Sequence, residues 1–219
     1  MEKFFSLLTD CPLFKGLTPD QIASALSELK AETKSYKKGQ LIFMAWEPAT
    51  TVGIMLEGNA LVIKLDYEGN RNILTTLQAP ELFGEVFACL SMSTLPVSVE
   101  ATTNCSVLFI NSHRLFRPQD NFTPLRQQII NNMLIILAKK NYQLSKKITV
   151  ISQHSTQEKL LTFLYDQAAI HGSKTFTLPW DRQALADYLC VERSAMSAEL
   201  SKLQSRGKIK YHKNHFTLT

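Results

Sequence analysis

The 219-residue chain is long enough for one large and one small domain, and its 45% apolar residues can supply a core for each. No apolar run approaches the roughly 20 residues that a membrane span requires, and the first ten residues lack the basic segment and cleavable apolar stretch of an export signal. We therefore expect a folded cytoplasmic protein with no membrane partner.

The formal net charge of +5 is unevenly distributed along the chain. Residues 1–120 hold 10 Lys/Arg against 13 Asp/Glu, a balance of −3, whereas residues 121–219 hold 14 against 6, a balance of +8. The basic C-terminal half is therefore the half expected to meet a polyanion.

The first 123 residues predict an N-terminal helical segment followed by a β-rich domain. One or two short helices are expected before residue 30, with Thr18 as an N-cap and Pro19 at the first helical position. Short β-rich runs separated by turn residues then occupy residues 41–44, 52–56, 60–65, 73–77, 97–101 and 106–110. Runs at roughly 8 to 12 residue intervals are typical of a sandwich or barrel.

Residues 124–154 predict a long helix with a coiled-coil seam. Apolar positions alternate steps of four and three, with one amide among them, at Ile130, Leu134, Leu137, Asn141, Leu144, Ile148 and Ile151. The simplest interpretation is a parallel dimer. The alternative is a helix buried in its own monomer, because Ile129, Met133, Ile135 and Ile136 widen the apolar face. Both hold if these extra residues face the β-rich domain and the seam faces a partner.

Residues 155–219 predict a small domain that contains a helix-turn-helix. After a helix at 157–169 and a strand at 175–178, two helices at 182–189 and 193–206 are joined by the turn Cys190-Val191-Glu192. An apolar stripe should clamp these helices together: Leu185, Ala186, Leu189, Val191, Met196, Leu200 and Leu203. Strands at 209–212 and 216–218, joined by Lys213-Asn214, complete a wing.

The charged residues of the C-terminal segment are almost all positive. From Arg193 to Thr219 there are six Lys/Arg and one acid, Glu199. Such a face beside a helix-turn-helix indicates phosphate contact. The alternative is a winged domain that binds another protein.

The order of these parts resembles the catabolite-activator (CRP/FNR) family of transcription regulators over nearly the whole chain. The motifs that carry the resemblance are Lys38-Gly39-Gln40-Leu41-Ile42-Phe43, Leu56-Glu57-Gly58, Leu82-Phe83-Gly84-Glu85, Arg182-Gln183-x-Leu185-Ala186-x-x-Leu189 and Glu192-Arg193-Ser194. The resemblance implies an α+β fold with an N-terminal double-stranded β-helix, or jelly roll, a long dimerisation helix and a C-terminal winged helix-turn-helix.

For DNA binding, the resemblance and the basic surface together nominate Arg182, Gln183, Arg193, Ser194, Ser197, Ala198, Lys202 and Lys210. Family members usually read bases from the positions of Ser194, Ser197 and Ala198, and many have an arginine where this chain has Ala198. Base recognition should therefore depend on Arg193, the two serines, the Ala198 methyl group or DNA bending. Cys190 replaces a usual glycine, at a cost of about 1 kcal/mol if its backbone is left-handed.

For an effector, the resemblance implies a site around Gly84 and Glu85, which hold ribose and phosphate in cyclic-nucleotide-binding members. The phosphate-binding Arg-Ser pair of those members falls on Leu95 and Pro96, which argues against cyclic AMP. The predicted pocket for a small, less charged molecule contains Leu82, Phe83, Gly84, Glu85, Phe87, Cys89, Val97 and Val99. Alternatively, Glu85 has only a structural role in the roll, and the protein's own side chains fill the cavity.

No cofactor or metal is assigned. Only Cys11 lies where iron-sulfur members have a cysteine cluster, and the haem candidates His113 and His154 are isolated. A metal barrel enzyme would need histidines on the roll, but residues 34–110 contain none. With no catalytic motif either, the chain is not expected to be an enzyme.

The predicted organisation is therefore an effector-sensing domain at 1–123, a dimerisation helix at 124–154 and a DNA-binding domain at 155–219. The predicted function is that of an effector-responsive homodimeric transcription factor that binds pseudo-palindromic double-stranded DNA. The alternative is a ligand-sensing adaptor that contacts only proteins. RNA polymerase is a further partner if the protein activates, with the loop at 168–174 as the positional candidate.

Overall fold

The structure, a computed structural model, describes residues 4–48, 50–69, 71–90, 93–116 and 123–219. It divides into two compact units, Met1–Ala138 and Lys139–Thr219, with the boundary inside the long helix. The division into three segments at residues 123 and 154 stays a prediction. Most of the polar link expected before the long helix, residues 117–122, lies outside the described residues.

The N-terminal unit begins with α1 (Phe5–Asp10), a 3-10 turn (Pro12–Phe14) and α2 (Pro19–Glu28). The predicted N-cap is confirmed: Thr18 Oγ1 accepts from the Gln21 amide, and the Gln21 side chain accepts from the Thr18 amide at 2.9 Å. This reciprocal capping box satisfies two amides at the start of α2.

Two antiparallel sheets form the predicted jelly roll. Its strands are β1 (Glu32–Tyr36), β2 (Leu41–Phe43), β3 (Thr51–Glu57), β4 (Asn59–Leu65), β5 (Arg71–Gln78), β6 (Leu82–Phe83), β7 (Ser98–Ala101) and β8 (Cys105–Asn111). One sheet has the order β1-β8-β3-β6 and the other β2-β7-β4-β5. The sequence patterns did not predict β1, which is polar, or β6, which has two residues.

The sheet that contains β3 is buried on both faces. Met55 of β3 points into an inter-sheet core, which consists of Ile42, Met55, Ala60, Leu77, Phe83, Val99, Ala101, Cys105, Val107 and Phe109. Its neighbours Ile54 and Leu56 point the other way, into a helix-side core with α1, α2 and the long helix. Successive strand residues alternate between faces, so a strand buried on both faces has an uninterrupted apolar run.

Two short helices, α3 (Glu85–Cys89) and α4 (Ser112–Phe116), precede the long helix α5 (Pro124–Ile151). As predicted, Ile129 and Met133 are buried in the helix-side core and Ile136 packs against it. Ile135 was wrongly included in this set, because its side chain is 52% exposed. Among the described residues, no helix combines the length and apolarity that crossing a membrane requires.

The C-terminal unit contains α6 (Thr156–His171), β9 (Thr175–Thr177), α7 (Arg182–Leu189), α8 (Arg193–Ser205), β10 (Ile209–His212) and β11 (His215–Leu218). The helix-turn-helix and the wing are therefore confirmed. β9 joins β11, so the wing belongs to a three-stranded sheet. Six of the seven predicted stripe residues are fully buried, and Val191 is partly buried beside them.

The last turns of α5 are part of this second core. Val150 is 1% exposed among the helix-turn-helix residues. Lys147 Nζ lies 5.2 Å from the ring centroid of Tyr188 on α7. The ring of Tyr188 in turn lies against Phe163 and Trp180.

Replacement of Gly53 by alanine should destabilise the roll. A Cβ atom at this position of β3 would lie 2.3 Å from the Phe83 ring, which the inter-sheet core holds in place. We expect a loss of about 1–3 kcal/mol in the free energy of unfolding, measured by chemical denaturation. The control Thr76→Ala, on the exposed face of β5, should change it by less than about 0.5 kcal/mol. Equal stability of the two variants would contradict this packing.

Candidate nucleic-acid interface

The second helix of the helix-turn-helix, α8, presents a polar face opposite its buried face. Met196, Leu200 and Leu203 are fully buried against the rest of the unit. The opposite face exposes Arg193, Ser194, Ala198, Ser201 and Lys202, and Ser197 is partly exposed beside them. Six of the eight predicted DNA-binding residues lie on this face or on the wing, where Lys210 is exposed on β10.

The two serines nearest the centre of this face bond to the α8 backbone, and Ser201 Oγ also lies 3.3 Å from the Tyr211 hydroxyl, where either oxygen could be the donor. Ser197 Oγ donates to the Arg193 carbonyl at 2.9 Å, and Ser201 Oγ donates to the Ser197 carbonyl at 3.1 Å. A hydroxyl that donates to its own helix retains only acceptor lone pairs for a ligand. This restriction could not be predicted from the sequence, because it follows from side-chain rotamers in the folded helix.

The start of α8 offers backbone donors. Its N-cap residue, Glu192, makes no side-chain capping bond, so the first amides of the helix have no side-chain acceptor. Helix N-termini carry a partial positive charge and suit phosphate oxygens. By contrast, Asp181 caps α7, accepting from the Ala184 amide at 2.8 Å.

The charges around this face are not equally available. Lys202 Nζ forms an ion pair with Glu199 at 2.6 Å, so the single acid of the C-terminal stretch neutralises one predicted phosphate ligand. Within the described chain, the Arg193 side chain is exposed and its guanidinium makes no hydrogen bond or ion pair. Arg193 is therefore the best-placed cation on α8.

Arg182 and Gln183, at the start of α7, are engaged within the protein. The Arg182 guanidinium carbon lies 4.8 Å from the ring centroid of Tyr211 and 5.2 Å from that of Phe216. Its Nη2 donates to the Lys213 carbonyl oxygen. Burial lowers the pKa of Arg182, and Tyr211 partly offsets that effect. Gln183 Nε2 donates to Asp187 Oδ1 at 2.8 Å along α7.

An open groove of about 530 Å³ runs beside the recognition face. One wall is the first turn of α6, from Ser155 to Glu158, and the other is the Ala195, Ala198, Glu199 and Lys202 side of α8. Small side chains at Ala195 and Ala198 keep the groove open. The sequence did not predict the groove, because the α6 start and α8 are distant along the chain.

The predicted effector residues do not form one pocket. Phe83 and Val99 lie in the inter-sheet core, whereas Leu82, the neighbour of Phe83 on β6, points into the helix-side core. Glu85 is buried at 3% exposure, and Val97 is also buried. Gly84 and Phe87 are partly buried, but Cys89 is exposed at the end of α3.

Aromatic rings occupy the roll interior near Gly84. The Phe43 ring packs on Phe83 and Phe109, with centroid distances of 5.1 and 5.8 Å, and a Cβ atom added at Gly84 would lie 2.7 Å from it. Leu95, which replaces a phosphate-binding arginine, is 3% exposed. Its backbone bonds to Trp46 and Glu47. The position that would need a cation for a cyclic phosphate is therefore a buried apolar one.

The seam of α5 is largely exposed in the single chain. Leu134, Leu144 and Ile148 are 66%, 62% and 59% exposed. Asn141 is exposed as well, while Ile130, Leu137 and Ile151 are partly buried. Large apolar side chains that are exposed along one face of a helix indicate a surface that binds a partner.

Metal ligands do not gather in the described part of the chain, where no group of three His, Cys, Asp or Glu side chains could hold an ion. The four cysteines are free thiols. Burial raises the pKa of Cys11, and burial followed by the Glu85 carboxylate raises that of Cys89.

Comparison with known families agrees with this architecture. Residues 33–117 match a cyclic nucleotide-binding domain, and residues 158–219 match a Crp-like helix-turn-helix domain. Together the two matches cover more than half of the chain. The chain is also 21% identical over 192 residues to the transcriptional activator protein FnrA of Stutzerimonas stutzeri. This alignment covers 85% of this chain and 76% of FnrA.

Two solved structures show the same fold. The c-di-GMP responsive global regulator CLP of Xanthomonas campestris superposes with a TM-score of 0.58 at 20% identity, covering 92% of this chain and 99% of that one. The catabolite activator protein of Thermus thermophilus superposes with a TM-score of 0.51 at 18% identity, covering 95% and 93%.

The turn between α7 and α8 is strained at Cys190. This residue has φ 53° and ψ 54°. Its backbone is therefore left-handed, which is the conformation with the energetic cost expected from the sequence. Cys190→Gly should raise the free energy of unfolding by up to about 1 kcal/mol, because glycine adopts this conformation without a Cβ clash. The control Cys190→Ala removes the thiol but keeps the Cβ atom, so thermal unfolding should find it unchanged. A gain with alanine equal to that with glycine would assign the strain to the thiol instead.

Proposed function

Because this chain belongs to the CRP/FNR family of transcription regulators and carries its DNA-binding helix-turn-helix, we propose that it works as a homodimer on pseudo-palindromic DNA. The observation that carries the proposal is the exposed face that α8 shares with the wing, whose charged side chains are mostly Lys and Arg. Two such faces would enter successive major grooves, with half-sites about one helical turn apart.

Base reading would centre on Arg193, Ser194 and Ser197. An arginine donates to guanine O6 and N7, and Arg193 has no competing partner in the described chain. Ser197 retains only acceptor lone pairs, so it suits the amino group of adenine or cytosine. The Ala198 methyl suits the thymine methyl. Lys202, Lys210 and the first amides of α8 would bind phosphates.

Dimerisation would use the α5 seam. A parallel pair would bury Leu134, Leu144 and Ile148 against their copies and set Asn141 against Asn141, where the two amides can satisfy each other. The family supports this state, because its regulators act as dimers. The partly buried Ile130 and Leu137 would then contact both their own domain and the partner.

We infer that the N-terminal domain senses a small molecule other than cyclic AMP. The buried Leu95 offers no charge to a cyclic phosphate, and the Phe43 ring lies against Gly84. An effector would shift the α5 pair between packings and thereby redirect the two α8 helices.

Catalysis is not part of this proposal. The family consists of regulators, and the roll has no histidine with which to build a metal barrel. We propose a cytoplasmic location, because a regulator must share a compartment with its operators. If the protein activates transcription, residues 168–174 are the proposed contact for RNA polymerase.

Loss of Arg193 should weaken sequence-specific binding. Arg193→Ala removes an unpaired guanidinium from the recognition face, and we expect affinity for the preferred genomic fragment to fall by about tenfold or more, with relaxed preference among fragments. Fluorescence anisotropy at fixed salt measures both. The control Lys64→Ala removes one positive charge from the exposed surface of β4 and should leave affinity unchanged. Wild-type binding with neither sequence preference nor salt dependence would favour the adaptor alternative.

A charge in the seam should dissociate the dimer. Leu144→Glu places two carboxylates at one apolar layer of the paired helices, so the dimer dissociation constant should rise by about tenfold or more. Analytical ultracentrifugation measures the change. The matched control, Gln143→Glu, adds the same charge one residue away on the outer face of α5 and should retain the wild-type dimer. Identical sedimentation of the two variants would place the interface elsewhere.

A further inference from the structure

The guanidinium of Arg182 lies over the wing. The rings beneath it, Tyr211 on β10 and Phe216 on β11, are paired directly across the hairpin, with centroids 6.1 Å apart. The guanidinium carbon is within 5.2 Å of both centroids. One planar cation therefore joins the first residue of α7 to both strands of the wing, through cation–π contacts that a guanidinium makes better than an ammonium.

Arg182 also holds the turn at the tip of the wing. Its Nη2 donates to the carbonyl of Lys213, a residue with φ 51° in the left-handed region. From the opposite side, Asn214 Nδ2 donates to the Leu178 carbonyl at 2.6 Å, and the Leu178 amide donates to the Asn214 carbonyl at 2.9 Å. The turn is thus fixed at both of its residues, while the Lys213 side chain remains exposed.

We propose that Arg182 is a positioning residue of the DNA interface, which fixes the wing against α7 so that Lys213 meets the phosphate backbone. This inference rests on the proposed DNA-binding function and assigns Arg182 an indirect part in it. The guanidinium carbon lies near two rings, and one of its N–H groups is committed to a carbonyl, so the side chain is held against the wing. Lys213 was not among the DNA-binding residues predicted from the sequence. In this proposal its ammonium group supplies the positive charge that meets the phosphate.

Arg182 borders a cavity next to the tip of the wing. A cavity of about 400 Å³ lies beside the guanidinium, bordered by Trp180, Asp181, Lys213 and Asn214. If Arg182 were truncated, this cavity would widen and the Lys213 carbonyl would lose its donor. The wing tip would then move relative to α7, and the entropy of holding Lys213 at a phosphate would be paid on binding.

A double-mutant cycle on the full-length protein separates positioning from direct contact. Affinity for the preferred DNA fragment is measured by anisotropy at one salt concentration for Arg182→Ala, Lys213→Ala and the double variant. Each single change should weaken binding by about tenfold, and the double variant should be within about twofold of the weaker single, because the released wing has already lost the Lys213 contact. Losses that multiply would show two independent contacts and overturn the proposal.

The conservative variant gives a second, independent readout. Arg182→Lys keeps the positive charge but loses the planar group and its directed hydrogen bond. The fold-loss in DNA affinity should therefore be at least about half of that caused by Arg182→Ala. An affinity within about twofold of wild type would mean that charge alone matters and would overturn the proposal. Tyr211→Leu removes a stacking ring and also the hydroxyl that lies 3.3 Å from Ser201 Oγ on α8, so Tyr211→Phe, which removes the hydroxyl alone, is its control. Relative to this control, Tyr211→Leu should weaken binding by about fivefold. Wild-type affinity for that variant would also overturn it.

These outcomes remain distinct from failure of the proposed function. If the wild-type protein shows no sequence-preferring, salt-dependent binding, the DNA-binding function itself is wrong. If the wild type binds and the Arg182 and Lys213 losses multiply, only the positioning role is wrong. Should Arg182→Ala fail to fold, the Arg182→Lys and Tyr211→Leu measurements still decide between the two roles.

Discussion

The long helix α5 is constrained on several faces at once. Ile129 and Met133 belong to the helix-side core of the N-terminal unit, and Val150 belongs to the core of the C-terminal unit. Between and beside these anchors runs a seam with Leu144 and Ile148 mostly in water. Apolar surface gains about 25 cal/mol for each Å² removed from water, so burial of this seam against a second copy would be favourable.

Among the described residues of α8, the recognition face combines small side chains with the Arg193 guanidinium, which makes no hydrogen bond or ion pair. Ala198 borders a groove and presents only a methyl group, and Ser197 offers acceptors only. Few direct base contacts are then available on each half-site, so the deformability of the DNA between them should carry part of the specificity. The wing gains importance for the same reason, since in the proposed arrangement Lys213 would add a phosphate contact whose position depends on the fold.

The roll retains the family architecture without its usual electrostatics. In place of a charge for a cyclic phosphate, Leu95 is buried, and Phe43, Phe83 and Phe109 form an aromatic cluster inside the sheets. Burying an unpaired phosphate beside such residues would be costly. If the roll senses an effector as proposed, these surroundings suit a small molecule of low charge, bound by shape and apolar contact.

Local patterns in the sequence determined the long helix, the helix-turn-helix and the wing. Thr18 and Asp181 mark helix starts through their own caps, and the heptad steps need no distant partner to be visible. Tertiary structure alone decided what depends on pairing across the fold. The polar segment β1 is a strand because it pairs with β8. Leu82 and Phe83 lie in different cores because both faces of their sheet are buried. Arg182 contacts the wing because folding places Tyr211 and Phe216 beneath it. Contacts between residues distant in sequence leave no periodic trace in it.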